Sequence, residues 1–286
     1  MENQILVPRK VEGKEFYADR VDKALENCVK ENYEAQFIPE IIDARISSPE
    51  ESRIWQTWFT APSIRVTGKD KKGKPFVIYS HVENYLSQFK NITSAIEQGL
   101  VNGAGKMPQE EFQRLLDLKD DERVFVVDYD ALRNSTSGVI KVSKALAHPQ
   151  TIPFLGGKER AEKYLEQHEK VYGSNIGVWH SNDLSHEPLA RVLFVGGIYL
   201  GGLLGGGLNG DARFLGVRRV AEGDAQKISA KPKCGEFKAI LPYAQKDLTE
   251  ALKIVSNIKQ GRIQVSSLES ESEKVENFLK TLERIK

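Results

Sequence analysis

The sequence has little cysteine. Its 286 residues include only Cys28 and Cys234, too few for a disulfide framework or for a zinc site with four thiolate ligands. A single bridge between the two is left open. Residues 1–7 also lack a basic stretch followed by an apolar one, so no secretory signal peptide is predicted. We therefore expect a cytoplasmic or virion-associated protein.

An excess of charge of one sign is missing as well. The chain carries 41 basic and 40 acidic side chains, which gives a formal net charge of +1. Such a balance produces no long-range field that would attract nucleic acid or an anionic membrane, so no nucleic-acid partner is expected. The mean hydropathy of -0.42 argues against a polytopic membrane protein. The length suffices for a core that needs no disulfides.

Histidines in a metal-binding pattern are also absent. The five histidines include no helical pair four residues apart with a glutamate between them, the arrangement that zinc proteases use. No metal site, cofactor or catalytic residue is therefore predicted. The alternative is a metal- or phosphate-dependent α/β enzyme that uses Asp128, Asp130 and His180. The two aspartates end a predicted strand, where such residues more often cap or turn the chain.

Apolar spacing predicts much of the secondary structure. Val21, Leu25, Val29 and Tyr33 recur every four residues and predict an amphipathic helix. Strands are predicted at 37–46, 63–67, 75–79, 123–129 and 175–180, and helices at 84–100, 108–118 and 156–172. The core side of the helix at 156–172 is predicted to carry Ala161, Tyr164, Leu165 and His168. A polar turn between the second and third of these strands predicts a β-hairpin.

The most unusual feature of the chain is a glycine-rich segment. Nine of the 23 glycines lie between Gly196 and Gly216. Each glycine inside a helix or strand costs about 0.5–1 kcal/mol relative to alanine. Local propensity therefore does not explain how the segment is held, and its neighbours in the fold must do so.

Two functional interpretations of this segment rest on its glycine spacing alone. Gly205, Gly207 and Gly210 match the G-x-G-x-x-G spacing of nucleotide-binding loops, but no strong helix start follows them. Gly197, Gly201 and Gly205 recur at the spacing of packed transmembrane helices, within 17 uncharged residues. The segment has too much glycine and too little leucine for a membrane span, so none is predicted.

Three short motifs frame the segment and support a third interpretation. They are Asn175-Ile-Gly-Val-Trp179, Arg191-Val-Leu-Phe-Val-Gly-Gly197 and Phe214-Leu-Gly-Val-Arg218. In this order they resemble three strands of formylglycine-generating-enzyme-like C-type lectin folds: a strand with Val-Trp, an arginine-led strand that runs into paired glycines, and a closing Gly-Phe-Arg strand. The resemblance covers residues 175–220 and implies an α+β protein with a C-type lectin-like domain.

This family has an enzymatic branch and a binding branch. Its enzymes use a reactive cysteine pair near the end of the domain, which Cys28 and Cys234 do not supply, so the resemblance implies a protein that is not an enzyme. The other branch comprises variable proteins of diversity-generating retroelements, in which adenine-directed mutagenesis changes selected codons. Randomised adenines in AAC codons never yield Glu, Lys, Gln, Met or Trp. None of these residues occurs from Ile198 to Gly216.

The resemblance also implies where a ligand would bind. Framework strands would hold the backbone of the segment, which leaves its side chains free to contact a protein or another macromolecule. The predicted ligand-binding residues are Ile198, Tyr199, Leu200, Leu203, Leu204, Leu208, Asn209, Asp211 and Arg213. The alternative is that the leucines belong to the core and the glycines only permit close packing of strands.

We expect three parts along the chain. A helical and strand element spans residues 1–49, the C-type lectin-like ligand-binding domain spans 50–222, and a helical C-terminal extension spans 223–286. The extension is predicted from a linker-like stretch at 230–235 and from apolar spacing between Val275 and Ile285. The oligomeric state is left open.

Overall fold

The computed structural model describes residues 11–197 and 202–219. Its helices are α1 (Val21–Lys30), α2 (Ile38–Ile46), α3 (Arg53–Gln56), α4 (Phe89–Glu97), α5 (Gln109–Asp117), α6 (Tyr129–Arg133), α7 (Val142–Ala145), α8 (Thr151–Leu155) and α9 (Lys158–Tyr172). Its strands are β1 (Val11–Ala18), β2 (Glu34–Ala35), β3 (Phe59–Lys69), β4 (Pro75–Ser80), β5 (Gly105–Lys106), β6 (Val124–Asp128), β7 (Gly138–Lys141), β8 (Asn175–Trp179), β9 (Leu189–Val195), β10 (Leu203–Gly206) and β11 (Ala212–Arg219).

The described strands form one mixed sheet. Its main path runs β1, β11, β3, β9, β10, β8 and β7, and β4 and β6 continue from β3. β3 and β4 form the predicted hairpin, with Arg65 opposite Tyr79. β9 is antiparallel to both β3 and β10, whereas β11 is parallel to β3 and β10 is parallel to β8. The predicted α+β class is confirmed.

Successive residues of the central strands point to opposite faces of the sheet. Val77 and Tyr79 of β4 belong to one buried cluster, and Ile78 between them belongs to another. On β9, Leu193 joins the first cluster and Val192 the second. Residues of α2, α8 and α9 complete the first cluster, and residues of α1, α4 and α5 complete the second. The central strands are therefore covered by helices on both faces.

Helix α9 follows the sequence pattern closely. Its buried side chains are Ala161, Tyr164, Leu165 and His168, the four predicted to share its core side. Four predicted strands also occur, at β3, β4, β6 and β8. Helix α9 is predicted because it buries one regular stripe, and the strands are predicted because they are short apolar runs.

Two predictions near the N-terminus differ from the structure. Residues 37–46 form α2 rather than a strand, with Pro39 in the first turn, where its missing N–H leaves no hydrogen bond unmade. Helix α1 ends at Lys30, so Tyr33 lies beyond the helix, although its side chain is buried. Val29 lies within the helix, but its side chain is half exposed.

The structure does not divide the chain at residue 49. Strand β1, which the sequence pattern does not predict, pairs with β11 along its whole length, from Val11 opposite Arg219 to Ala18 opposite Ala212. The compact unit that contains every described residue ends at Val220. The helices predicted for residues 223–286 lie outside the described residues, so that extension stays a prediction.

A buried arginine organises the chain between α2 and β3. Arg45 is fully buried, and its guanidinium donates to Ile54 O at 3.0 Å, to Thr57 O at 2.8 Å and to the Tyr164 hydroxyl at 3.0 Å. The guanidinium also lies 5.6 Å from the centre of the Trp55 ring. Among the described residues no carboxylate forms an ion pair with it. Main-chain carbonyls and aromatic rings therefore replace water around this charge.

Replacement of Arg45 by alanine is expected to lower the free energy of unfolding by about 3 kcal/mol or more, because two carbonyls and a hydroxyl lose their buried partner. Arg53→Ala is the matched control. Its guanidinium is largely exposed and pairs with Glu15, an interaction worth about 1 kcal/mol or less. Urea unfolding of both variants measures the difference. Equal losses would show that Arg45 does not organise this region.

His81, which follows β4 directly, links three elements. A carbonyl can only accept, so Nε2 carries the hydrogen and donates to Pro153 O at 2.8 Å. Nδ1 accepts from the Ser63 hydroxyl at 2.9 Å, and Ser63 Oγ accepts from the N–H of Ile38 at 2.8 Å. Complete burial lowers the pKa of His81 to about 4. The folded protein therefore holds this imidazole neutral.

Stability is expected to fall as the pH is lowered from about 6.5 to about 4. In that range His81 is protonated in the unfolded chain but neutral in the folded one, so added protons favour unfolding. A difference of about 2.5 pKa units corresponds to a total loss of about 3 kcal/mol. Urea titrations between these pH values should show a shallower loss for His81→Gln than for the unmodified chain. The exposed His186→Gln serves as the control, and a slope unchanged in both variants would contradict the assignment.

Candidate functional site

The glycine-rich segment contributes a strand to the middle of the sheet. Strand β10 pairs antiparallel with β9, with Leu203 opposite Val195 and Gly206 opposite Val192. On its other side, Leu203 and Leu204 pair parallel with β8. Main-chain hydrogen bonds to two neighbouring strands therefore hold this part of the segment, whatever side chains it carries.

Two of the predicted ligand-binding leucines are core residues. Leu203 is fully buried in the cluster that contains Val178 and Val195, and Leu208 is fully buried in the cluster that contains Ala95. The prediction that these two leucines contact a partner is therefore wrong, and the alternative of a core role holds for them. Leu203 points into the core because of the alternation of side chains along β10 and the register of β10 with β9. The amino-acid composition of the segment predicts neither the alternation nor the register.

A second loop fixes Leu208. Its N–H donates to Gly103 O at 2.9 Å, and the loop that contains Gly103 continues into β5. A Cβ added at Gly105 would lie 2.6 Å from Leu208 Cδ1, so only glycine leaves room for the leucine there. The backbone of Gly103 itself adopts φ +84°, a conformation that favours glycine. Glycines on both sides of this contact therefore allow the two loops to touch.

An arginine on β9 ties the same loop down. Arg191 Nη2 donates to Asn102 O at 2.6 Å and to Asp183 Oδ2 at 2.7 Å. Asn102 Nδ2 completes the triangle with a 2.8 Å hydrogen bond to Asp183 Oδ1. Burial raises the pKa of Asp183, but the hydrogen bonds from Asn102 and Arg191 outweigh it, and the net shift is downward. The ion pair of Arg191 and Asp183 therefore holds the loop at Asn102 and Gly103, which in turn contacts Leu208 of the glycine-rich segment.

Four predicted residues do have solvent-accessible side chains. Asn209 and Asp211 are exposed in the turn between β10 and β11, and Leu204 and Arg213 are half-buried on the strands themselves. Ile198, Tyr199 and Leu200 lie outside the described residues, so their role stays a prediction.

Three aromatic side chains from other parts of the chain lie beside Arg213. The Tyr17 and Trp58 ring centres are 6.2 Å apart, and those of Trp58 and Phe194 are 5.1 Å apart. The Arg213 guanidinium lies 5.3 Å from the centres of both Tyr17 and Trp58. We call Tyr17, Trp58, Phe194 and Arg213 the aromatic row. Tyr17 is 50% exposed, so the row is accessible at that end.

The sequence pattern misses Tyr17 and Trp58 as site residues. Of the neighbouring tryptophans at 55 and 58, Trp55 is buried, whereas Trp58 is only half-buried. Tyr17 lies on β1, opposite Arg213 in the pairing with β11. A long-range pairing of this kind leaves no local signal in the sequence.

Ion pairs hold the charged end of the row in place. Glu15 accepts hydrogen bonds from Arg53 at 2.7 Å and from Arg213 at 2.8 Å. The hydrogen bond from Arg53, assisted by that from Arg213, lowers the pKa of Glu15 below its usual value. The Tyr17 hydroxyl donates to Asp211 Oδ2 at 3.4 Å, which links the row to the exposed turn. The arrangement presents π faces and fixed charges side by side.

The residues of the enzymatic alternative have other partners. Asp128 Oδ1 accepts from the first N–H groups of α6 and so caps that helix, and Asp130 lies 3.4 Å from Arg133. His180 Nε2 is 3.2 Å from the Ser135 hydroxyl. Within residues 11–197 and 202–219, no three His, Cys, Asp or Glu side chains are grouped as metal ligands. Asp128 therefore caps α6, Asp130 contacts Arg133, and His180 contacts Ser135.

The two spacing-based interpretations of the glycines also lack their structural context. Gly205 lies inside β10, and the next element along the chain is β11 rather than the helix that a dinucleotide fingerprint requires. In the described part of the chain, no helix has the length and apolar character needed to cross a bilayer.

One solved structure resembles this chain closely. Neither the protein-family models nor the curated proteins that were searched give a significant match. A search of solved structures finds a chain that is 55% identical in sequence, with a TM-score of 0.69, and the match covers 72% of this chain and 98% of the other. That structure is described as showing the accommodation of massive sequence variation in Nanoarchaeota by the C-type lectin fold.

At this identity and coverage the chain belongs to the family of C-type lectin-fold proteins, as the motifs at 175–220 predict. The relative is a scaffold for sequence variation in Nanoarchaeota.

Leu203 and Leu204, adjacent on β10, are expected to differ in how much stability is lost when each is truncated to alanine. Leu203→Ala should lower the free energy of unfolding by about 2–5 kcal/mol, because it opens a cavity in the core. Leu204→Ala should cost about 1 kcal/mol or less, because this side chain is only half-buried. Urea unfolding of the two variants tests this. Similar losses would mean that Leu204 also supports the core.

Proposed function

We propose that this protein is a non-catalytic ligand-binding scaffold that displays a variable surface on a C-type lectin fold. The surface comprises Leu204, Asn209, Asp211 and Arg213 together with the aromatic row. The observation that carries the proposal is the pairing of β10 with β8 and β9, which holds the backbone of the segment while Leu204 remains accessible.

The ligand is a macromolecule, most simply a protein. Tyrosine, tryptophan and arginine are the residues that most often supply binding energy at protein interfaces, and the row contains all three. Stacking of Arg213 on Tyr17 and Trp58 orders these side chains before a partner arrives, which reduces the entropy lost on binding. Glycines and small polar residues around rigid aromatics are also typical of antibody paratopes.

The variation of this surface is generated by a diversity-generating retroelement. Two facts support this part of the proposal. The relative at 55% identity accommodates massive sequence variation, and residues 198–216 contain only amino acids that adenine-randomised AAC codons can encode. The strands on either side, β9 and β11, are paired along their length and supply the constant framework.

A library of the full chain tests the display function. Codons of the AAC type with randomised adenines replace those of Leu204, Asn209, Asp211 and Arg213, and the proteins are displayed on phage and selected on immobilised lysozyme. Most clones are expected to fold and some to bind lysozyme, because these side chains contribute little to the core.

The matched control randomises Leu203 and Leu208 with the same codons. Because both are fully buried, most clones of this library should fail to fold, as measured by display level. The proposal fails if the first library loses display as often as the control, or if it folds and yields no binder.

The retroelement part has its own test. We expect a reverse transcriptase gene near the coding DNA, together with a near-copy of the codons for residues 191–220 that differs from them only at adenines. If neither is present near the coding DNA, the retroelement part of the proposal is wrong. The binding function is then tested by the library experiment alone.

A further inference from the structure

The loop at residues 180–188, which joins β8 to β9, contains no helix or strand. Side chains from other parts of the chain hold its first residues. The His180 N–H donates to Ser137 Oγ at 3.1 Å. Arg65 of β3 donates to Ser181 O at 2.6 Å and to Ser181 Oγ at 3.0 Å. We call residues 180–188 the support loop.

The support loop holds the part of the chain that contacts the glycine-rich segment. Its Asp183 accepts a hydrogen bond from Asn102 at 2.8 Å. Its Pro188 O accepts one from the Met107 N–H at 2.9 Å. Between these two contacts, the carbonyl that follows Asn102 in the chain accepts the Leu208 N–H at 2.9 Å. The support loop is therefore linked to the proposed binding surface through one intervening loop.

His148, which lies between α7 and α8 beside the start of the support loop, is neutral in this arrangement. Its Nε2 lies 2.9 Å from Thr136 O, and a carbonyl only accepts, so Nε2 carries the hydrogen. Its Nδ1 accepts from the Gln150 N–H at 3.2 Å. A second proton on this ring would set two N–H groups against each other and break the bond to Gln150.

His180, the first residue of the support loop, is neutral for a similar reason. Its ring centre is 5.9 Å from that of His148. Its Nε2 lies 3.2 Å from Ser135 Oγ, whose own hydrogen is donated to Leu132 O at 2.7 Å. Nε2 therefore donates, and a further proton has to go to Nδ1. Nδ1 is buried and forms no hydrogen bond with the described residues, so protonation would add a buried charge there.

The charges around the two rings also oppose protonation. Burial lowers the pKa of both His148 and His180, and for His180 the charge of Arg65 and the His148 ring lower it further. No carboxylate of the described residues raises either pKa: Asp183 pairs with an arginine of β9, and Asp130 pairs with one of its own helix. As the pH falls below 6.5, the ordinary value for histidine, added protons therefore favour an opened loop.

We propose that the support loop is an acid-sensitive switch: protonation of His148 and His180 detaches its first residues from Arg65 and loosens the glycine-rich segment, which binds its ligand at neutral pH and releases it in acid. Strand β3, which carries Arg65, is paired with β4 and β9 on either side, so the loop is the part that moves. The inference goes beyond the proposed function, although its binding half rests on that function.

Hydrogen–deuterium exchange of the full chain at pH 7 and pH 5 tests the switch. After correction for the intrinsic pH dependence of exchange, peptides from the support loop are expected to exchange about tenfold faster or more at pH 5, while peptides from β4 and α9 keep their protection. Protection lost equally in all peptides would indicate global unfolding, to which His81 contributes, and would overturn the proposal, as would no loss at all.

Variants assign the switch to its histidines. The double variant His148→Gln with His180→Gln keeps groups that can form hydrogen bonds but does not titrate, so its support loop should stay protected at pH 5. His186→Gln is the matched control, because His186 is exposed in the same loop, and it should open in acid as the unmodified chain does. A double variant that still opens in acid would contradict the assignment.

Urea unfolding at pH 7 checks that the double variant folds. If it does not, the single variants His148→Gln and His180→Gln replace it. Each is expected to show a smaller rise in exchange at pH 5 than the unmodified chain. A full rise in both would again contradict the assignment.

A binding measurement tests the link to the ligand. In lysozyme binders taken from the library at positions 204, 209, 211 and 213, affinity measured by surface plasmon resonance is expected to fall about tenfold or more between pH 7 and pH 5. The same binders with both His148→Gln and His180→Gln should change by less than about threefold. Because lysozyme is the same in both measurements, its own titration does not account for the difference.

The two proposals fail differently. If the support loop opens in acid and the binders keep their affinity, the link to the ligand is wrong and the inference fails, while the display function stands. If the library yields no binders, the proposed function fails, and the exchange experiment still decides whether the loop is acid-sensitive.

Discussion

The structure depends on one constraint: the main chain of the glycine-rich segment must find its hydrogen bonds in neighbouring strands. Strand β10 achieves this with β9 on one side and β8 on the other. Backbone groups pair in the same way whatever side chain they carry, so most side chains of the segment are not needed to hold its backbone in place. Four side chains are exceptions: Leu203 packs into one core, and Leu208, Ala212 and Phe214 pack into the core on the opposite face of the sheet.

The sequence predicts the elements that carry a regular pattern and misses those that rest on distant pairing. Helix α9 is predicted to the residue on its buried side, because four side chains repeat with its turn. Strand β1 is missed because three of its eight residues are charged and its partner β11 lies far away in the sequence. At 37–46 the isoleucine-rich run resembles a strand, but Ile38, Ile41 and Ile42 have the spacing of one helix face and Pro39 lies in the first turn. The family resemblance adds β9 and β11, which apolar spacing alone does not predict.

The candidate site shows the same division more sharply. Its location is predictable, because nine glycines in 21 residues mark a segment that only tertiary contacts can hold. The residues that form the site are not predictable. Leu203 and Leu204 are identical in type and adjacent in sequence, and only the register of β10 places one in the core and the other at the surface. Tyr17 and Trp58 enter the site from the first quarter of the chain through the pairing of β1 with β11 and the start of β3. A surface assembled from three distant parts of the sequence has no local signature.

The antiparallel pairing of β1 with β11 has a consequence for how such a domain can be used. It places Val11 directly opposite Arg219, with Cα atoms about 5 Å apart, so the polypeptide enters and leaves the sheet at neighbouring points. A module with adjoining ends can be spliced into a surface loop of a host protein, or have its ends joined and be reopened elsewhere, without a stretched linker. The pairing of β1 with β11 therefore suits this domain to insertion into larger proteins as a separate folding unit.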